Sequence, residues 1–249
     1  MLSGKGPTPD NVAQARSFFD RALTADAVNV DALVGSAWAD TVAGASAFVA
    51  NPMAAFAAAE AKLTKALSLV PDHAPGHMTL GHVCIYTKRA AQGIAECEHA
   101  LALDRNLAAA HALVGLGKIF VGRAEETEAH VGEAVRLSPR DTSAHAWKTF
   151  VGVAKLTLGS YEQAAAWFRR AIEANRNYPI PYFLSAAGLA QLGRLDDAHS
   201  AVKAGLALNP TFAISRARAA WTAMSDNPTY LAQLEPIFDG LRKAGVPEQ

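Results

Sequence analysis

Residues 159–174 read GSYEQAAAWFRRAIEA, and within them Tyr161, Ala164, Phe168 and Ala171 alternate large and small apolar side chains. The spacing from Ala164 to Ala171 is close to two helical turns, so both small residues share one face with the larger Phe168 between them. Small residues at the ends of such an interval let a second helix approach closely, and the larger one fills the remaining gap.

The arrangement recurs along the chain. Ala66, Ala100, Ala134, Ala171 and Gly205 follow at steps of 34, 34, 37 and 34. Leu63, Cys97, Val131, Phe168 and Val202 move with them three residues earlier, and Ala59, Gly93, Thr127, Ala164 and Ala198 seven earlier. Three columns in step define a repeated helical unit whose core grows lengthwise, so the 249 residues need not divide into ordinary globular domains. Alanine dominates the apolar residues and runs rich in Val, Ile and Thr are missing, which predicts an all-helical chain.

Lys plus Arg balances Asp plus Glu at 23 each, so no net field draws the chain to nucleic acid or an acidic membrane. The opening MLSGKG lacks the apolar run of a secretory signal, and a cytoplasmic location is expected. Residues 41–59 carry no charge, yet Asn51-Pro52 interrupts them and Leu and Ile are few, so no membrane span is expected. Cys84 and Cys97 lie outside any Cys-x-x-Cys and read as two buried thiols.

The columns resemble the tetratricopeptide repeat, a helix-turn-helix unit of about 34 residues. Leu80-Gly81 and Val114-Gly115 match its first helix, Gly122, Gly159 and Gly193 its inner turn, Tyr161 to Ala171 its second helix, and Pro71, Pro139 and Pro210 its close. Ala27 and Arg105 replace the closing proline, with about three extra residues before Tyr161 and about ten before Ala59. Ser160 with Gln163 reads as a capping box, and Asn51-Pro52 and Asn227-Pro228 as N-caps before a first-turn proline. The resemblance implies a right-handed superhelix of antiparallel helix pairs over residues 1–249. Its parts would be a half repeat at 8–24, a lengthened repeat at 30–73, repeats at 74–107, 108–141, 142–178 and 179–212, and a terminal pair or cap at 213–249. A half repeat at the start suggests a missing upstream partner, while Leu231, Leu234, Ile237, Phe238 and Leu241 form the apolar side of the capping helix.

In this family the first helix of each unit lines the concave face. That register places Met78, His82, Ile85, Tyr86, Ala112, Leu116, Ile119, Phe120, Phe150, Val153, Leu156, Phe183 and Ala187 there, and the Lys/Arg/Asn carboxylate clamp of the family's chaperone-binding members is absent, so no carboxylate-clamped chaperone peptide is expected. The expected partner is a protein or peptide, an amphipathic helix among them, or a second copy of the chain. The alternative is that these residues are core, or are covered by the chain's own terminal helix.

His77, His111 and His145 recur at steps of 34, but neighbouring repeats are about 8–10 Å apart, too far for shared zinc ligands, and packing is the expected role. No metal and no cofactor are expected. Gly115-Leu116-Gly117-Lys118 lacks the leading Gly and trailing Ser or Thr of a phosphate loop, and no hydrolase motif occurs, so no catalytic residues are assigned. The stretches GPTPDNVAQARSFFDRALTADAVNVDALVGSAWAD and AAAHALVGLGKIFVGRAEETEAHVGEAVRLSPRD, with GLRKAGVPEQ at the close, resemble the C-terminal repeat region of bacterial multidomain signalling proteins. There a class III adenylate or guanylate cyclase, or a winged-helix DNA-binding domain, precedes the repeats. The resemblance implies a regulatory or oligomerising arm, and a stop codon just before Met1 would exclude it.

Overall fold

The computed structural model describes residues 8–46 and 48–249, and in them the chain forms thirteen α-helices, one 3-10 turn and no strand. Two compact units meet in sequence at Gly117 and Lys118. The first contains α1 (Pro9–Ala25), α2 (Val30–Ala45), α3 (Pro52–Leu69), α4 (Ala74–Tyr86) and α5 (Ala90–Leu103). Helix α6 (Ala108–Phe120) begins in the first unit and ends in the second. The second continues through the 3-10 turn Ala124–Glu126, α7 (Thr127–Leu137), α8 (Ala144–Thr157), α9 (Tyr161–Ala174), α10 (Ile180–Gln191), α11 (Leu195–Leu208), α12 (Ile214–Thr222) and α13 (Pro228–Lys243).

Local chemistry sets where these helices begin. Asn29, Asn51 and Asn227 each accept a backbone N–H three residues on through Oδ1, and Pro52 and Pro228 occupy first-turn positions where no donor is needed. His73 caps α4 in the same way, its Nδ1 accepting Gly76 N–H at 3.0 Å. The capping box expected at α9 does not form: Ser160 makes no side-chain cap bond, and its backbone carbonyl receives Ala164 N–H at 2.9 Å. The uncharged run at 41–59 is divided between α2 and α3, and no described helix is long and apolar enough to cross a membrane.

Helix pairs are joined by a repeated turn. Gly122, Gly159 and Gly193 take φ of 77°, 72° and 75°, and Lys88 takes 61° at the equivalent place between α4 and α5. The next residue in each case returns its N–H to a carbonyl five residues back: Arg89 to Cys84, Arg123 to Lys118, Ser160 to Lys155 and Arg194 to Leu189. This is the left-handed helix ending that satisfies the last carbonyls.

All members of the three columns are buried, most with no exposed surface at all. Helices α4 and α5 pack backbone to backbone, where a Cβ on Gly93 would fall 2.6 Å from the Gly81 carbonyl oxygen and one on Gly81 would fall 2.7 Å from that of Gly93. Elsewhere a ring fills the notch: Phe56 lies over Gly44, Phe168 over Gly152 and Phe183 over Gly205. Cys84 and Cys97 are free, buried thiols, and burial raises the Cys84 pKa to about 11 and that of Cys97 still further. Neither is disposed to react as a thiolate.

A candidate helix-binding face

In the second unit part of the face expected to line a groove, at Phe120 and Ala187, is covered from within. Helix α13 presents Tyr230, Leu234, Ile237, Phe238 and Leu241, all buried, along one side. Leu231, read from sequence as part of that side, is only half-buried, and Tyr230 takes its place. Helices α13 and α10 approach until a Cβ on Gly240 would stand 2.5 Å from the Ala187 carbonyl oxygen, so only glycine fits there. Tyr230 sets its ring edge on Phe120 at 5.2 Å and donates its hydroxyl to the Trp221 carbonyl. Trp221 stacks on Phe238 at 5.7 Å.

Polar bonds fix both ends of this helix. Ser225 Oγ donates to the Phe120 carbonyl at 2.7 Å and Asn227 Nδ2 to that of Val121 at 3.2 Å, satisfying acceptors that the end of α6 leaves open. Beyond α13, the Pro247 and Glu248 carbonyls accept the N–H groups of Ile214 and Ser215 at the start of α12. On the flank, Gln191 donates to the Pro236 carbonyl and to Asp239, and Lys243 donates to Gln191.

The expected groove residues therefore separate into two groups. Ile85, Leu116, Ile119, Phe120, Leu156 and Phe183 are buried, at most 5% exposed, and form core rather than an open surface. The reasons are local: Ile85 enters the notch above Gly93, Leu156 packs on Gly188, Phe183 stacks on Phe212 at 3.7 Å, and Phe120 lies under Tyr230. Ala112 and Ala187 are buried as well. Met78, His82 and Tyr86 in the first unit, and Phe150 and Val153 in the second, remain partly exposed.

On α4 the partly exposed group is aromatic and uncharged. His82 meets Tyr86 edge-on at 5.4 Å, and Tyr86 stacks with Phe56 at 5.9 Å. Loss of water around His82 lowers its pKa to about 4, so the ring is neutral at physiological pH. The buried charge of this unit at Asp40 is paired. Asp40, 1% exposed, is held by Arg16 Nη1 at 3.0 Å and Lys62 Nζ at 2.5 Å, and Lys62 also donates to Ser36, which donates to Asp20. This network ties α1, α2 and α3 together beside a cleft of about 120 Å³ whose lining includes Val12, Ala43 and Phe48.

His145 is buried, with Nδ1 on the Thr142 carbonyl and its ring edge-on to Tyr178, and desolvation lowers its pKa. His111 is half-buried. His77 pairs with Glu96 and lies against His99, two α5 residues that a comparison along the repeat period does not reach. Lys118, which ends the Gly-x-Gly-Lys run, is 7% exposed and pairs with Glu126 at 3.1 Å inside the second unit.

Residues 149–178 match the tetratricopeptide repeat family model. No curated protein matches the chain significantly. Among solved structures, a tetratricopeptide repeat protein from Parabacteroides merdae is similar over 86% of this chain and 78% of its own, with a TM-score of 0.61 at 13% identity. PilW, a type IV pilus biogenesis factor, is similar over 76% of this chain and 90% of its own, with a TM-score of 0.59 at 18% identity. TTC0263, a thermophilic repeat protein of Thermus thermophilus, is similar over 74% of this chain and 97% of its own, with a TM-score of 0.59 at 15% identity. At such identities the likeness establishes the tetratricopeptide-repeat fold and nothing about partners.

Proposed function

We propose that this chain is a non-catalytic protein-binding scaffold that receives an amphipathic helix of another protein on the exposed first-helix face of its first unit. The observation that carries the reading is α13. In the second unit an amphipathic helix lies on the face that the repeat register marks as concave, with Gly240 on Ala187 and Tyr230 on Phe120. The fold thus accepts a helix there by burying apolar anchors at helical spacing. In the first unit, Met78, His82 and Tyr86 offer a partly exposed, uncharged counterpart. Affinity would come from burial of apolar surface and register from the spacing of the partner's anchors.

A photo-crosslinking amino acid at Met78, followed by mass spectrometry of the adducts, tests this. The reading expects adducts on segments with apolar residues at helical spacing, lost in Tyr86→Asp while helical circular dichroism is retained. It fails if adducts persist unchanged in that variant, or if none form on natively helical protein. The narrower reading, an arm regulating a nucleotidyl cyclase or winged-helix regulator, adds an upstream domain to the same scaffold and rests on the sequence resemblance. Sequencing the reading frame upstream of Met1 decides it.

A further inference from the structure

We propose that His77, Glu96 and His99 form a binding site for a divalent transition metal, zinc being the best match to the donor set. The three side chains offer ligand atoms that all lie within 4.8 Å of one another. Glu96 and His99 are three residues apart on α5 and so share a face, while His77 faces them from α4. His77 Nδ1 stands 2.7 Å from Glu96 Oε2, and its ring centre 4.2 Å from that of His99.

The second nitrogen of His77 makes the case specific. Nε2 lies 2.7 Å from the Pro71 carbonyl, an acceptor, so this nitrogen carries the proton. In a neutral ring the Nδ1 lone pair then points at a carboxylate oxygen, and two electron-pair donors converge on one point. A proton between them satisfies both as a hydrogen bond, and a metal ion that displaces this proton satisfies both as ligands. A ligating histidine whose other N–H is held by a backbone carbonyl is also the usual arrangement around protein-bound metals, since it fixes tautomer and ring orientation.

The ligands stand on a rigid base. The backbone approach of Gly81 and Gly93 fixes α4 against α5, so closing the site needs only side-chain rotation. Metal–ligand bonds of about 2.0–2.1 Å bring tetrahedral ligands to about 3.4 Å from one another. His99 is exposed and free to swing inward, and the His77 and Glu96 side chains keep 12% and 22% exposure, which leaves an ion a way in. Two imidazoles and one carboxylate suit zinc and its neighbours rather than magnesium or calcium, which take oxygen ligands. Three protein ligands leave one position for water. The ion would clamp the two helices of one repeat together.

The test uses the full chain stripped with a chelator, with zinc chloride and cobalt chloride as probes. Zinc is expected to raise the melting temperature in a concentration-dependent way in wild type and in the control His199→Ala, a histidine of the second unit, and to leave His99→Ala unmoved. Cobalt is expected to give the intense visible absorption of a tetrahedral site at one ion per chain. That absorption should be absent in His99→Ala, and cobalt binding at least about tenfold weaker in Glu96→Gln. His99 is exposed, so its removal leaves folding intact, which circular dichroism checks. Equal responses in wild type and His99→Ala, or no response in wild type, would overturn the proposal.

Discussion

At the scale of the residue, Lys88 departs from the pattern around it. Its φ of 61° is shared by glycines at the equivalent turns, and an L side chain in that region meets the following carbonyl. Lys88→Gly is therefore expected to stabilise the chain by about 1 kcal/mol, raising the melting temperature by about 2–4 °C in a thermal scan. His82 gives the second residue-scale expectation. Its pKa in the folded chain is about 4, below the ordinary value of 6.5, so the unfolded chain takes up a proton first as pH falls. The stability supplied by the neutral ring is complete above about pH 6.5 and is lost progressively as pH falls toward 4, by about 2–3 kcal/mol. Burial of His145 acts in the same direction. His82→Gln should flatten part of the decline in urea midpoints measured between those pH values, and an unchanged slope would mean the ring is hydrated.

At the scale of the element, the repeat columns were fully legible because burial of small residues is dictated by spacing along a single helix. Ala66, Ala100, Ala134 and Ala171 lie where a helix must pass closely, and each has no exposed surface. Gly93 is the extreme case, since the Gly81 carbonyl oxygen and the Ile85 backbone occupy the space a methyl would need. Backbone cannot yield as a side-chain end can, so Gly93→Ala is expected to cost about 2–3 kcal/mol in chemical denaturation. Two local features were not legible. The Ser160 cap is formed by the backbone rather than the side chain, because the residue preceding α9 also closes the turn through Lys155. The meeting of His77 with Glu96 and His99 depends on how α4 crosses α5, whereas the repeat period compares a histidine only with its counterparts one unit away.

At the scale of the whole chain, the sequence identified the fold and the first-helix face but not which part of that face is open. The register is a property of the repeat, whereas covering by α13 is a tertiary event that its apolar side permits and does not specify. The decisive contact is a pair of backbones, Gly240 against Ala187, and glycine in a helix carries no apolar signal. Tyr230, Phe120 and Trp221 then complete the seat. If the first-helix face receives an amphipathic helix, as proposed, the second-unit part of it becomes free for one when α13 is displaced, and Gly240→Val displaces it by forcing a branched side chain into the Ala187 carbonyl. The measurement is a fluorescence-anisotropy titration of a labelled peptide spanning residues 227–243 against chains that are wild type or Gly240→Val at residue 240, both carrying Tyr86→Asp to disable the first-unit face, with helix content followed by circular dichroism. The variant is expected to bind the peptide saturably, and wild type at least about tenfold more weakly because its own helix competes at high effective concentration. Equal binding to both, or none to a natively helical Gly240→Val chain, would contradict it.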